Sequence, residues 1–88
     1  MVHATHPAIV KRLKRANGHL LGVIAMLEEG RPCLEVAQQL QAVAAAVDNA
    51  KRTLIHDHMD HCFADASHGQ HRSSTELVDE LRALAKFL

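Results

Sequence analysis

From Cys33 to Cys62 the chain reads CLEVAQQLQAVAAAVDNAKRTLIHDHMDHC, with no glycine and no proline. Apolar residues recur within it at Val36, Leu40, Val43, Val47, Ala50 and Leu54, a 4-3-4-3-4 spacing that marks one face of a long helix. Alanine, leucine, glutamine, lysine and arginine dominate the segment, so propensity agrees with the pattern. Pro32 stands where a first helical turn tolerates proline, and the next breaker is Gly69. The spacing predicts one helix of about 30 residues, or about 45 Å.

That length constrains the chemistry the chain can perform. The helix opens on Cys33 and closes on His56-Asp57-His58-Met59-Asp60-His61-Cys62, a dense run of metal-ligand types. His58 and Cys62 are i,i+4 neighbours, so both side chains can face one point. Cys33 lies about 37 Å from His58 along the axis, out of reach while the helix stays whole. Two copies packed antiparallel bring Cys33 of one beside His58 and Cys62 of the other. Their two-fold axis then crosses at residues 45 to 48, where Ala44-Ala45-Ala46-Val47 allows close approach. Two soft thiols and an imidazole at these spacings point to an inter-subunit metal site. Thiolate-rich sites select Cu(I) or Zn(II), and added imidazole donors admit Ni(II) and Co(II).

The rest of the composition narrows the class. Eighty-eight residues make one small domain over 1–88, with no Trp or Tyr and only two Phe. A core that thin usually needs oligomerisation. Two cysteines far apart suit a cytosolic thiol pair better than a secreted disulfide scaffold, and no run is apolar enough for a membrane span. The expected compartment is the cytoplasm. No H-E-x-x-H zinc motif, Ser/His/Asp arrangement or phosphate-binding glycine loop occurs, so catalysis is not expected.

Taken in order, residues 1–6 form a polar arm with His3 and His6, and Pro7 begins a first helix that runs to about Glu29. Gly30 suits a helix C-terminus, and the short Gly30-Arg31-Pro32 link predicts an antiparallel hairpin. Periodicity fades from Ala64 to Arg72, which reads as a loop. Ser73-Ser74-Thr75-Glu76 then forms a capping box ahead of a third helix through Leu77, Val78, Leu81, Leu84, Ala85 and Leu88. The expected fold is all-α, three helices with a very long second one.

Net charge is zero, 10 basic residues against 10 acidic, but residues 1–27 hold Lys11, Arg12, Lys14 and Arg15 and no acid. If the hairpin turns tightly, Arg12 falls opposite Lys51 and Arg52, so the basic residues of both helices converge. The same register brings the histidine arm toward His58. A basic patch alone is weak evidence for nucleic acid, and no familiar DNA-binding motif accompanies it.

These residues resemble the copper-sensitive operon repressor family (CsoR, with the nickel/cobalt sensor RcnR and the formaldehyde sensor FrmR as relatives). The resemblance is carried by RLKRANGHL at Arg12–Leu20, MLEEGRPC ending at Cys33, QLQAVAAAV, and LIHDHMDHC ending at Cys62. It implies dimers that pair into tetramers, repression through operator double-stranded DNA, and release of DNA when metal binds across the dimer interface. It places a Cu(I) ligand set on Cys33, His58 and Cys62 and a supporting carboxylate on Glu76. DNA contacts fall on Arg12, Lys14 or Arg15, and Arg52, beside Lys51 from the register.

In the nickel/cobalt branch an N-terminal histidine joins the site, a role open to His3 or His6, so Ni(II) or Co(II) is the alternative to Cu(I). Copper sensors commonly carry a tyrosine before the first cysteine, where this chain has Pro32. Two further readings share the cysteines: a thiol sensor joining Cys33 to Cys62 of a partner, and a metal-storage module that never meets DNA.

Overall fold

The computed structural model describes residues 6–67 and 74–88, giving backbone alone for 63–67 and 74. It consists of α1 (His6–Glu28), α2 (Cys33–Ser67) and α3 (Ser74–Ala85), with no strand among the described residues. The fold is all-α, as the periodicity indicates. The molecule is elongated, 57 Å in its longest dimension, because α2 is a single unbroken helix of 35 residues.

Local chemistry sets the hairpin. Gly30 takes φ +74°, the left-handed conformation that a Cβ disfavours. Its N–H donates to the Leu27 carbonyl at 3.1 Å, and Arg31 N–H donates to the Met26 carbonyl at 3.0 Å. This pair of bonds is a Schellman closure, and it satisfies carbonyls that the end of α1 would leave open. The carbonyl of Pro32 accepts the first bond of α2, from Val36 N–H at 3.2 Å, so the proline caps the helix from just outside. Arg31 and Glu35 pair at 3.0 Å across this start, and the Glu35 carboxylate raises the Arg31 pKa.

The hairpin packs in heptads. Ile9, Ala16 and Val23 of α1 are buried with Val36, Val43 and Ala50 of α2. Val23, Val36 and Val43 form the core cluster, with Met26 against it. On one side of this seam, Arg12 and His19 meet Thr53 and Gln39 through side-chain hydrogen bonds of 3.4 and 2.7 Å. On the other side lie Leu13, Leu20 and Leu27 of α1 and Leu40, Val47 and Leu54 of α2, each 37% exposed or more. Two antiparallel helices show such rows on one broad face, so the protomer presents an uncovered apolar surface. Cys33 and His58 fall on the same row of α2, seven residues before Leu40 and four after Leu54.

Two boundaries differ from the sequence reading. The helix continues through Ser67, whereas the fading periodicity suggests a loop from Ala64. Apolar spacing reports burial, but an existing helix extends at little cost until a breaker intervenes, and none precedes Gly69. The chain end is tighter than a helix to Leu88: Phe87 N–H and Leu88 N–H donate to the Leu84 and Ala85 carbonyls, an i→i+3 pattern. Ser73, read as the cap of the third helix, and most of the 64–72 loop lie outside the described residues.

The two kinds of glycine give opposite expectations. Gly30→Ala should destabilise the protein by about 1–2 kcal/mol, the left-handed penalty for a Cβ. Gly18 is helical, and a Cβ there meets nothing within 4 Å. Gly18→Ala should therefore stabilise by about 0.5–1 kcal/mol. Urea denaturation of both variants checks the signs, and equal shifts would refute the cap.

Candidate metal centre

Three potential ligands converge where α2 meets α3. One donor atom each from His58, Cys62 and Glu80 lies within 4.8 Å of the others. Two ligands each about 2.3 Å from one ion are at most about 4.6 Å apart, so the group is near coordination distance. The α2 helix places His58 and Cys62 together by their i,i+4 spacing. Cys62 is buried, 5% exposed, while His58 and Glu80 are half-buried.

Glu80 arrives from α3, and its Oε1 accepts a hydrogen bond from His58 Nε2. A proton held on Nε2 leaves the lone pair of a neutral ring on Nδ1, which fixes the ligating nitrogen. The family resemblance places the supporting carboxylate on Glu76, one turn earlier on the same helix; in the structure Glu76 is exposed and Glu80 reaches the histidine. A signal for Glu80 exists in the sequence. It sits inside the Leu77–Leu81–Leu84 stripe, whose leucines are half-buried, and a carboxylate on such a stripe asks for a partner.

The other expected ligands are not members of this group. Cys33 is exposed at the first residue of α2, at the far end of the unbroken helix. His6 is the first residue of α1 and half-buried, and it contributes no atom to the cluster. His3 lies outside the described residues. One protomer thus assembles an imidazole, a thiol and a carboxylate, and holds its second thiol elsewhere.

The basic residues divide between two clefts beside the α1–α2 seam. Arg12 and Arg52 line one with Asn49, Thr53, His56, Asp57 and Asp60; Arg12 and Arg15 line the other with Ala16, His19, Ala46 and Asn49. Lys14 and Lys51 line neither. Arg12 bonds Thr53, two residues beyond the expected Lys51, so the register estimate is close. Asp48 pairs with both Lys51, at 3.1 Å, and Arg52, at 3.0 Å. The hydrogen bond from Lys51 holds the Asp48 carboxyl below its usual pKa, against the opposing effect of desolvation and with help from the charges of Arg52 and Lys51. A depressed carboxylate keeps its pairing above its ordinary pKa and loses it only as acid protonates it, so the pair is charged throughout the neutral range.

The model of one family, described as metal-sensitive transcriptional repressor, matches residues 5–86. The chain belongs to that family. It is 37% identical over 78 residues to the copper-sensing transcriptional repressor CsoR of Mycobacterium tuberculosis (strain ATCC 25618 / H37Rv), covering 85% of this chain and 65% of that protein. It is 38% identical over 80 residues to the copper-sensing repressor CsoR of Bacillus subtilis (strain 168), covering 89% of this chain and 79% of that one. The chain therefore spans just under two thirds of the length of the mycobacterial CsoR relatives. Among solved structures it resembles the nickel-responsive transcriptional regulator InrS, with a TM-score of 0.83, 35% identity and full coverage of both chains.

A repressor of this family needs donors for a transition metal, and the donor chemistry here fits one. Thiolate and imidazole suit Cu(I), Zn(II) or Ni(II), whereas a carboxylate is a poor partner for the softest of these. Glu80 is therefore better placed as the histidine's support than as a copper ligand. Glu80→Gln keeps the side chain's length and removes its charge. It should lower metal affinity about tenfold or more, while Glu76→Gln should change it little. Competition with a chromophoric chelator measures both, and matching losses would remove the distinction between the two carboxylates.

Proposed function

We propose that this chain is a cytoplasmic repressor that binds operator DNA when metal-free and releases it when Cu(I) joins two protomers. The observation that carries this reading is the continuity of α2, which holds Cys33 at one end and His58 with Cys62 at the other. A single chain then owns two incomplete halves. An antiparallel partner completes both, with Cys33 of one protomer meeting His58 and Cys62 of the other. The uncovered row of Leu40, Val47 and Leu54 lies between those ends and supports the same pairing. Dimers of this kind would pair into the tetramer that engages DNA.

Cu(I) supplies a soft acceptor that two thiolates and a neutral imidazole satisfy. Cys33 and Cys62 must give up their protons to bind it, and His58 must stay neutral, so capture releases protons and weakens in acid. Glu80 orients the His58 ring. Tying the two long helices together biases the assembly between two quaternary arrangements, and that bias is the coupling between metal and DNA. On the DNA side, Arg12, Lys14, Arg15, Lys51 and Arg52 would attract phosphates, an attraction that falls steeply with salt. Operator binding separates this reading from a storage module, and a response that needs metal separates it from a thiol sensor.

A second reading has its own support. The similarity to a nickel-responsive regulator extends over the whole chain, and Ni(II) accepts more and harder donors than Cu(I). In that case His3 or His6 would join the site. Deleting residues 1–6 distinguishes the metals: Cu(I) affinity and Cu(I)-driven DNA release should persist, while Ni(II) affinity should fall by about an order of magnitude or more. Loss of the cellular response with normal Cu(I) binding would make nickel or cobalt the inducer.

The shared site has a direct test. Cys33→Ala and Cys62→Ala proteins should each bind Cu(I) poorly. Mixed in equal amounts under conditions of subunit exchange, they should rebuild one intact site per heterodimer, which with random pairing reads as about a quarter of the wild-type stoichiometry for the whole mixture. Proven exchange without recovered tight binding would exclude ligands from two chains.

A further inference from the structure

The two clefts beside the seam differ in charge in a way that composition does not show. In the first, Arg12 and Arg52 share the walls with Asp57 and Asp60, and Arg52 is already paired with Asp48 at 3.0 Å. The second is lined by Arg12, Arg15, Ala16, His19, Ala46 and Asn49, with no carboxylate. Two of its lining residues, Ala16 and Ala46, are small, and longer side chains at those positions would fill the groove. Two guanidiniums, an imidazole and an amide therefore surround a small-residue floor. The imidazole is held in place: His19 Nε2 and Gln39 Oε1 share a hydrogen bond of 2.7 Å from one helix to the other.

We propose that this acid-free cleft is a phosphate seat, and that a backbone phosphate of bound duplex DNA enters it. Arg12 and Arg15 supply the charge, Asn49 and His19 supply hydrogen bonds, and Gln39 positions the His19 ring. The inference rests on the operator-binding reading and deepens it. It adds two contacting residues, His19 and Asn49, that a search for lysine and arginine passes over. A guanidinium pair can grip a phosphate in a fork, and uncharged donors beside it fix where the phosphate sits. The seat also explains the division of labour among the basic residues. An anion entering here meets no competing carboxylate, whereas one approaching Arg52 must displace or share Asp48.

The test uses the full-length, reduced, metal-free protein and a fluorescein-labelled duplex of mixed sequence, followed by anisotropy across a salt series. His19→Ala and Asn49→Ala should each weaken binding about three- to tenfold, the scale of one hydrogen bond to a charged or polar partner. Neither removes a fixed charge, so the salt slope should stay near wild type, while Arg15→Ala should lower both affinity and slope. Gln39→Ala leaves the His19 ring in place without its anchor and should give a smaller loss. His19→Gln, which keeps a donor, should recover part of the affinity, and circular dichroism checks that each variant keeps its helices.

Unchanged binding by His19→Ala and Asn49→Ala, with Arg12→Ala and Arg52→Ala weakened, would overturn the seat and leave operator binding standing. A wild-type protein that binds no duplex would overturn both. A parallel titration with inorganic phosphate, read from the imidazole NMR resonances, separates the two sources of the same chemistry. If free phosphate saturates the His19 signals and duplex DNA leaves them unmoved, the cleft takes a small phosphate and not the DNA backbone.

Discussion

The rigidity of α2 governs everything else in this molecule. A helix of 35 residues fixes the separation of its ends through its rise per residue, and no side-chain rotation can shorten it. The two thiols are thereby kept apart within one chain, while His58, Cys62 and Glu80 are gathered beside one another at the C-terminal end. A short connection after Cys33 would have allowed an intramolecular site. In the proposed reading, the unbroken helix would make metal binding a property of a pair of protomers, the form in which binding can report on quaternary arrangement.

The same helix carries an apolar row and a polar row on opposite sides of its seam with α1. The row of Leu40, Val47 and Leu54 is exposed in the protomer, and the fully buried core is small, with Val23 its one large side chain below 2% exposure among the described residues. A hairpin this thin buries little surface, so covering the apolar face contributes stability as well as assembly. The polar row faces the other way and carries Gln39 and Thr53, which meet His19 and Arg12 of α1. The assembly and the DNA contact proposed above would therefore use different faces of one hairpin, each set by the register of seven-residue repeats.

Electrostatics refine this division. Arg12 lines both clefts, but only one of them is free of carboxylates. Asp48 neutralises much of the local field of Lys51 and Arg52, and both of its ion pairs are exposed and individually weak. The effective positive surface is narrower than a count of lysines and arginines suggests. Around the candidate metal ligands the pattern reverses: Glu80 is half-buried and reaches a histidine that would have to be a neutral donor to bind metal.

By itself the sequence determined the elements whose causes are local. The glycine-free run fixed α2, Gly30 fixed the turn, and the i,i+4 spacing of His58 and Cys62 placed them on one face, because helical geometry depends only on neighbours along the chain. It also indicated that Cys33 could not join them within one chain, since rise per residue is independent of packing. Tertiary structure decided what depends on how helices meet. It brought Glu80 to His58 and left Glu76, one turn earlier, exposed, because only the docking of α3 selects which turn meets the histidine. It grouped Arg12 with Arg15 and His19 in one cleft and with Arg52 in another, and left Lys14 and Lys51 outside both. Those groupings turn on crossing geometry and on which side of the seam each residue occupies. Neither is written in the spacing of any one helix.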